Sequence, residues 1–296
     1  MIRPNVLSRI GQMTLLGVFL VFIPEPSRSL DILLTNDDGI EAQGISILRQ
    51  ALLAKGHEVL VVAPGSNRSG SGLSLTVGPV SVEQHSLGFA VSSTPATAVL
   101  LSRKIKPDRE FDILVSGINH GANVGYVTPV SGTVGAALTG ASPMGLKLPS
   151  IAISTDLPDR DAGSEAGRAQ LRNAAEFLIQ IISALQKATP EGGLLLPPGL
   201  ALNANYPLEE EVKGIRFCRQ GSTGTISITY EQGDDGVFFP KISSVSEDQK
   251  DPEGTDTEAY RAGFATIVPV WPYLSASGSS FQRVEEKLGR LFIVSD

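Results

Sequence analysis

Apolar and polar positions along this chain fall into blocks, and the period of each block predicts an element. Ile32-Leu33-Leu34 is a continuous apolar run that ends in Thr35-Asn36-Asp37-Asp38-Gly39, which reads as a short buried strand closed by turn residues. Ile45, Leu48, Leu52 and Leu53 then share one helical face, with Gly56 where a helix stop is expected. Glu58–Ala63 is a second buried strand. Strand, helix and strand within about 33 residues form a βαβ unit.

Two short strands are expected near Leu73–Val77 and Phe89–Ser92. Thr94 as N-cap and Pro95 at the first helical position open a helix running to about Arg103. Asp112–Ser116 is the next strand, and a glycine-rich loop from Gly117 to Val130 leads into Ser131–Leu138. The small residues of that last segment let a helix pack closely on a sheet. Pro149–Ser154 is a further strand. Leu171, Ala174, Ala175, Leu178, Ile181, Ile182 and Leu185 keep the 3.6-residue period of a core-facing helix over Ser164–Lys187.

Beyond Pro190 the character changes to short β-like runs: Leu200–Asn203, Gly214–Arg219, Thr225–Glu231, Val237–Phe239 and Ala265–Val270. Gly233-Asp234-Asp235-Gly236 reads as a hairpin turn, and the acidic stretch Asp248–Thr257 as a solvated loop. The whole predicts a doubly wound, mostly parallel α/β sheet with a β-rich C-terminal extension.

The 296 residues suit one large domain, or one domain and an appendage, and the net charge is −7 with no Lys/Arg cluster. That argues against a nucleic-acid polymer as the main partner, because backbone phosphates need basic patches. Cys218 is the lone cysteine, so no intrachain disulfide and no thiolate zinc site can form. His57, His85 and His120 are scattered, which argues against a histidine-rich metal site.

Arg3 and Arg9 precede an apolar stretch, Met13–Ile23, and Ser27 and Ser29 stand where a leader is cut. Residues 1–29 resemble a secretory signal peptide, and the apolar stretch is short of the roughly 20 residues of a stable membrane span. The alternatives are a mis-chosen start and an N-terminal anchor. A periplasmic or secreted protein follows from the leader, and a cytoplasmic one from its absence.

Candidate chemistry sits in the loops. Asp37 and Asp38 leave the first strand at the carboxyl edge, where ligands of open α/β sheets bind. Adjacent carboxylates suit a hard divalent cation, Mg²⁺ or Mn²⁺. Asp-Asp-Gly alone is not specific, since Asp234-Asp235-Gly236 repeats it. If the strands are parallel, three further loops meet it: Ala63–Gly72, Ser116–Gly125 and the helix start Ser131-Gly132-Thr133, which suits a phosphate. Neither Gly-x-Gly-x-x-Gly after the first strand nor a Walker A motif is present. His120 has two readings, a leaving-group acid and a solvent-facing loop histidine.

Leu34–Ile40, Val62-Ala63-Pro64 with Arg68-Ser69, Val115–Asn119 with Gly121 and Asn123, and Ser131–Ala137 together resemble the SurE family of metal-dependent 5′-nucleotidases. The resemblance runs from about Asp31 to Pro272 and includes Thr255-Asp256, Tyr260 and Gly263. It implies a Rossmann-like fold over residues 30–296, with a β-hairpin inside 205–272 used to build a homodimer or homotetramer. It implies one divalent metal ion per subunit held by Asp37, Asp38, Ser69 and Asn119, with Asp37 and Asp38 as catalytic residues. It implies phosphate contacts from Asn36, Ser131, Gly132 and Thr133, and hydrolysis of nucleoside 5′-monophosphates or other small phosphomonoesters.

The chain departs from the family's pattern in its leader, in Thr97 where Gly-Thr-Pro-Ala-Asp has its acid, and in Val130 where Tyr is common. Other readings are a broad-specificity acid phosphatase or polyphosphatase of the same fold, and a phosphatase that forms an aspartyl-phosphate on Asp37. The last is an exported, non-catalytic phosphate-ester binding protein, against which the adjacent carboxylates speak, since they repel anions unless a cation is present.

Overall fold

The apolar runs become the strands of one sheet. The computed structural model describes residues 28–246, 248–273, 275 and 278–288, so residues 1–27 of the leader lie outside the described residues. The chain opens with β1 (Asp31–Thr35), α1 (Gln43–Ala54), β2 (Glu58–Pro64), β3 (Val82–His85), β4 (Gly88–Val91) and α2 (Pro95–Ile105). It continues with β5 (Ile113–His120), α3 (Gly132–Ala141), β6 (Ser150–Thr155), α4 (Glu165–Ala188) and β7 (Ala201–Tyr206). The C-terminal part holds β8 (Ile215–Phe217), β9 (Ile226–Gln232), β10 (Phe238–Ser244), α5 (Asp256–Arg261), β11 (Ala265–Val270) and α6 (Gly278–Leu288).

The main sheet has 9 strands in the order β3-β4-β2-β1-β5-β6-β7-β11-β8. From β4 to β7 every pairing is parallel; β3 and β11 run antiparallel to their inner neighbours. Such strands are buried on both faces, which is why they read as unbroken apolar runs. Side chains alternate between the faces. Ile32, Leu34, Ile113 and Val115 pack with Ile45 and Leu48 of α1 and Leu171 and Leu178 of α4. Leu33 and Leu114 point the other way, toward Val99 of α2 and Val134 and Ala137 of α3.

The small residues of α3 have a specific use. A Cβ at Gly140 would stand 2.7 Å from Ser150 Oγ and 2.9 Å from Leu114 Cδ1, so glycine there lets the helix lie directly on β5 and β6. Thr94 caps α2 as the sequence predicts, its hydroxyl accepting from Thr97 N, and Ser164 caps α4, its hydroxyl accepting from Gly167 N.

Three expectations are corrected. Leu73–Val77 is not a strand; the strand paired with β4 is Val82–His85. The Leu73–Val77 segment spends its hydrogen bonds on the start of α2: Thr76 N donates to Thr97 Oγ1, Thr94 N to Thr76 Oγ1, and Thr94 Oγ1 to Ser74 O. Second, β5 does not stop at Ser116. After a register shift it pairs again with β6, Asn119 with Ser154 and His120 with Thr155. Gly117 makes this possible at φ +139°, where a Cβ would meet Ile153 O at 2.3 Å. Third, Asp248–Thr257 is not a simple solvated loop, because Asp256 is fully buried and opens α5.

The strands after Pro190 also divide differently from the expected extension. β7, β11 and β8 continue the main sheet, and β9–β10 forms the separate hairpin. Asp234-Asp235-Gly236 is its turn, as expected, with Gly233 N donating to Val237 O at 2.8 Å.

Candidate active site

β1 lies between β2 and β5, so the connections leaving it and returning to it run in opposite directions across the sheet. That is the switch point at which open α/β sheets bind ligands. Asn36-Asp37-Asp38-Gly39 emerges there. Asn36 Nδ2 donates to Gly39 O at 2.8 Å and closes the turn, with Gly39 at φ +104°. Ile40 N donates to Pro64 O (2.8 Å) and Arg68 N to Asp37 O (2.6 Å), which binds the loop after β2 to the loop after β1.

Asp37 is buried and receives a short hydrogen bond from Thr133 Oγ1 on its Oδ1. The start of α3 is in close contact with it. A Cβ at Gly132 would stand 2.8 Å from Asp37 Oδ2 and 2.4 Å from Ser71 Oγ. Asp38 accepts from His120 N at 3.2 Å through Oδ2, which ties it to the end of β5. Loops after β1, β2 and β5 and the start of α3 therefore converge, as the parallel-strand argument requires.

Burial pushes both carboxyls up to about 6; the Thr133 bond opposes this at Asp37 and the Asp38 charge adds to it, while the His120 N–H opposes it at Asp38. Neither carboxylate forms an ion pair among the described residues. Nearby, Asn36 Oδ1 and Ser71 Oγ are buried without a hydrogen-bond partner. Two crowded carboxyls, no cation of the protein's own and spare buried oxygens make a donor set that fits a hard divalent cation. Among the described residues no group of three or more His, Cys, Asp or Glu could hold a metal, so Ser, Asn or water would have to complete the shell.

Asn119 Nδ2 donates to Gly121 O at 2.6 Å, and its Oδ1 takes no hydrogen bond among the described residues. Ser69 is exposed and directly follows Arg68, whose N–H rests on Asp37. Ser131 caps α3, its Oγ accepting from Val134 N at 3.1 Å. The N–H groups of Gly132 and Thr133 make no intrahelical bond and stand at the positive end of the helix. His120 is half-buried, and its Nε2 is enclosed near Gly44 of α1 rather than facing solvent. Burial lowers its pKa, with the Asp37 charge opposing.

Ser71, and the residues that hold the loop between β5 and α3, leave no local signature in the sequence as site residues. Asp156 Oδ1 takes Ala122 N (3.0 Å), Asn205 Oδ1 takes Asn123 N (2.7 Å), and Asp256 Oδ2 takes Gly125 N (3.1 Å). Asn203 Nδ2 donates to Asn123 O at 2.7 Å. The nearest to a signature is Asn203 with Asn205, which put amides at alternate positions of a buried strand, where core residues belong. A cavity of 690 Å³ borders the far side of α3, lined by Leu73, Leu138, Phe217, Val268 and Trp271. The carboxylate pair does not line it; its walls are mostly apolar, with Thr128, Arg219, Gln220 and Tyr273 as the polar side chains among them.

Fold and site define a class: a doubly wound α/β protein with an oxygen-donor site at the switch point of its sheet. The family description "Survival protein SurE" matches residues 32–226, and the chain belongs to the SurE family. A protein of Actinobacillus succinogenes named 5′-nucleotidase SurE is 35% identical over 257 residues, covering 84% of this chain and 96% of the relative. One of the same name from Haemophilus influenzae is 36% identical over 252 residues, covering 83% and 92%. The crystal structure of the SurE protein from Aquifex aeolicus matches with a TM-score of 0.67 at 32% identity, over 88% of this chain and 99% of that one.

Proposed function

We propose that this chain is a phosphoric monoester hydrolase that cleaves nucleoside 5′-monophosphates to nucleoside and phosphate, and that it depends on a divalent metal. The relatives' common name supports the reaction class. The observation that carries the metal dependence is the pair Asp37–Asp38, one buried and one half-buried, crowded and without a cationic side chain among the described residues, with Asp37 against the start of α3.

Asp37, Asp38, Ser69 and Asn119 are the residues that would hold Mg²⁺ or Mn²⁺. When bound, such an ion supplies Lewis-acid polarisation and a bound water of lowered pKa. The protein's own groups do the rest. The N–H groups of Gly132 and Thr133, with the Ser131 hydroxyl and the Asn36 amide, hold the phosphoryl oxygens and stabilise their charge. The Asp37–Asp38 pair supplies a proton acceptor for the attacking water. The water oxygen forms the new P–O bond as the ester P–O bond breaks, and the nucleoside oxygen leaves taking a proton from solvent, so that the proton passed to the carboxylate pair is returned to solvent afterwards.

The hairpin completes the reading. Ile228, Tyr230, Phe238, Phe239 and Ile242 are exposed on two strands that pair only with each other. An isolated two-stranded ribbon is marginal in water, and we assign it to contact with further copies of this chain in a homodimer or homotetramer. Among the described residues no helix is long and apolar enough to cross a membrane.

The test is hydrolysis of AMP and of an aryl phosphate, with Mn²⁺, Mg²⁺ or EDTA, by wild type and by Asp38→Asn. Metal-dependent turnover of AMP is expected, with a loss of about 10³-fold or more in the variant. Turnover that survives EDTA, or an Asp38→Asn enzyme as fast as wild type, would remove the metal assignment. Equal rates on both esters would make it a general phosphatase.

A further inference from the structure

Between Asn123 and Ser131 the chain forms a short 3-10 helix, Gly125–Val130, that feeds directly into the cap of α3. Whatever fixes Gly125 therefore fixes where the N–H groups of Gly132 and Thr133 point. The structure clamps Gly125 from several sides. Asp256 Oδ2 takes its N–H, Gln220 Nε2 donates to its carbonyl at 3.0 Å, and Tyr126 N donates to Thr223 O at 2.9 Å. A Cβ at Gly125 would stand 1.6 Å from Thr223 O and 2.6 Å from Thr257 Cγ2, and one at Gly224 would strike the Tyr126 ring at 2.8 Å.

Asp256 is the centre of this clamp. It is fully buried, with no Lys or Arg paired to it among the described residues. Its second oxygen, Oδ1, takes Gly221 N at 2.7 Å and Thr257 N at 2.8 Å. A buried ionised carboxylate is costly unless its oxygens are filled. Here both are filled by backbone N–H groups, one set at the root of the β9–β10 hairpin and one in the loop that starts α3.

We propose that Asp256 is a positioning residue: by bridging Gly221 and Gly125 it sets the angle at which α3 presents Gly132 and Thr133 to the phosphate. This rests on the hydrolase reading given above. Asp256 touches neither substrate nor the carboxylate pair. Its loss should weaken phosphate recognition more than the demand for metal, because Asp38 is held by β1 and His120 N, and Asp37, although it accepts from Thr133, is also held by β1 and Arg68 N.

The experiment compares the full chain with Asp256→Asn, Gln220→Ala and Asp251→Asn. Asp256→Asn puts an amide N–H against one of the donated backbone N–H groups. Gln220→Ala removes an exposed side chain and its single bond to Gly125 O. Asp251→Asn loosens the hairpin root, since Asp251 takes the N–H and hydroxyl of Ser222 and Thr223 and the Thr257 hydroxyl, but makes no bond to Gly125. KM for p-nitrophenyl phosphate, the inhibition constant of inorganic phosphate and the half-activating Mn²⁺ concentration are measured.

For Asp256→Asn, KM and the phosphate inhibition constant are each expected to rise about tenfold, with the half-activating Mn²⁺ concentration rising by a smaller factor. For Gln220→Ala they rise about threefold, as one neutral hydrogen bond dictates. Asp251 holds Thr223 and Thr257 but not Gly125 itself, so Asp251→Asn lowers the unfolding midpoint and raises the two constants by clearly less than Asp256→Asn does. Wild-type constants in folded Asp256→Asn, or an equal shift in Asp251→Asn, would overturn the proposal. If Asp256→Asn does not fold, unchanged constants in Gln220→Ala overturn it. A wild-type protein that hydrolyses no phosphomonoester overturns the hydrolase reading instead.

Discussion

At the scale of single residues, the two carboxylates dominate. Asp37 carries a pKa raised to about 6, with burial as the main cause, against 3.8 in its ordinary state. A carboxyl raised on folding binds its proton more tightly when folded. Its favourable contribution is present below the unfolded value and is lost as pH rises through about 6. In EDTA, Asp37→Asn should therefore gain stability relative to wild type as pH rises from about 4 to 7, and adding Mn²⁺ should reverse the order. Thermal unfolding across that range checks it, and a difference that stays flat with pH would contradict it. These residues were legible because Asn36, Asp37, Asp38 and Gly39 are contiguous and follow an apolar run. Asp256 was visible as part of a motif but its use was not, since Gly125 lies 131 residues away. Asp156 and Asn205 were silent for the same reason, their partners standing 34 and 82 residues distant. Long-range pairing of a carboxylate with a backbone N–H leaves no local pattern.

At the scale of elements, interior strands and long helices were plain, and the borders of the sheet were not. α4, 24 residues long, was read nearly to its ends because its apolar period holds without a break from Leu171 to Leu185. Leu73–Val77 looked like a strand by composition, yet tertiary bonds to Thr94 and Thr97 claimed its backbone. The helix that matters most for the site is α3. The sequence showed that its residues are small, and the structure shows why: Gly135 would place a Cβ 2.0 Å from Gly72 O, and Gly132 one against Asp37 and Ser71. Gly132→Ala should push the helix start away from Asp37 and cut kcat/KM about 100-fold, since a displacement near 1 Å at a reacting site costs that much. Steady-state kinetics on a variant shown to be folded by circular dichroism decides it, and near-normal turnover would mean the helix start is not part of the site.

At the scale of the whole molecule, the sheet accounts for the core but not for the hairpin. β9 and β10 pair over seven residues each and bury little, while Tyr230 is 66% exposed and Phe238 58%. On a monomer such a patch costs solubility, and the flanking charges, Glu231 with Lys241, form one ion pair that cannot shield it. The hairpin root is the same junction that holds Gly125, through Thr223 and Gly221. Assembly through the ribbon would therefore load the clamp that positions α3. Replacing Phe238 and Ile242 by Lys puts like charges on the face we assign to further copies, and like charges brought together across an interface cost several kcal/mol. Light scattering should then show a smaller species than wild type, with the far-ultraviolet dichroism of the sheet retained. If the mass is unchanged, the ribbon's apolar face is not where copies of this chain meet. If the mass falls and KM for the phosphate ester rises with it, the ribbon and the phosphate-binding helix act as one unit, joined through the turn that begins at Gly125.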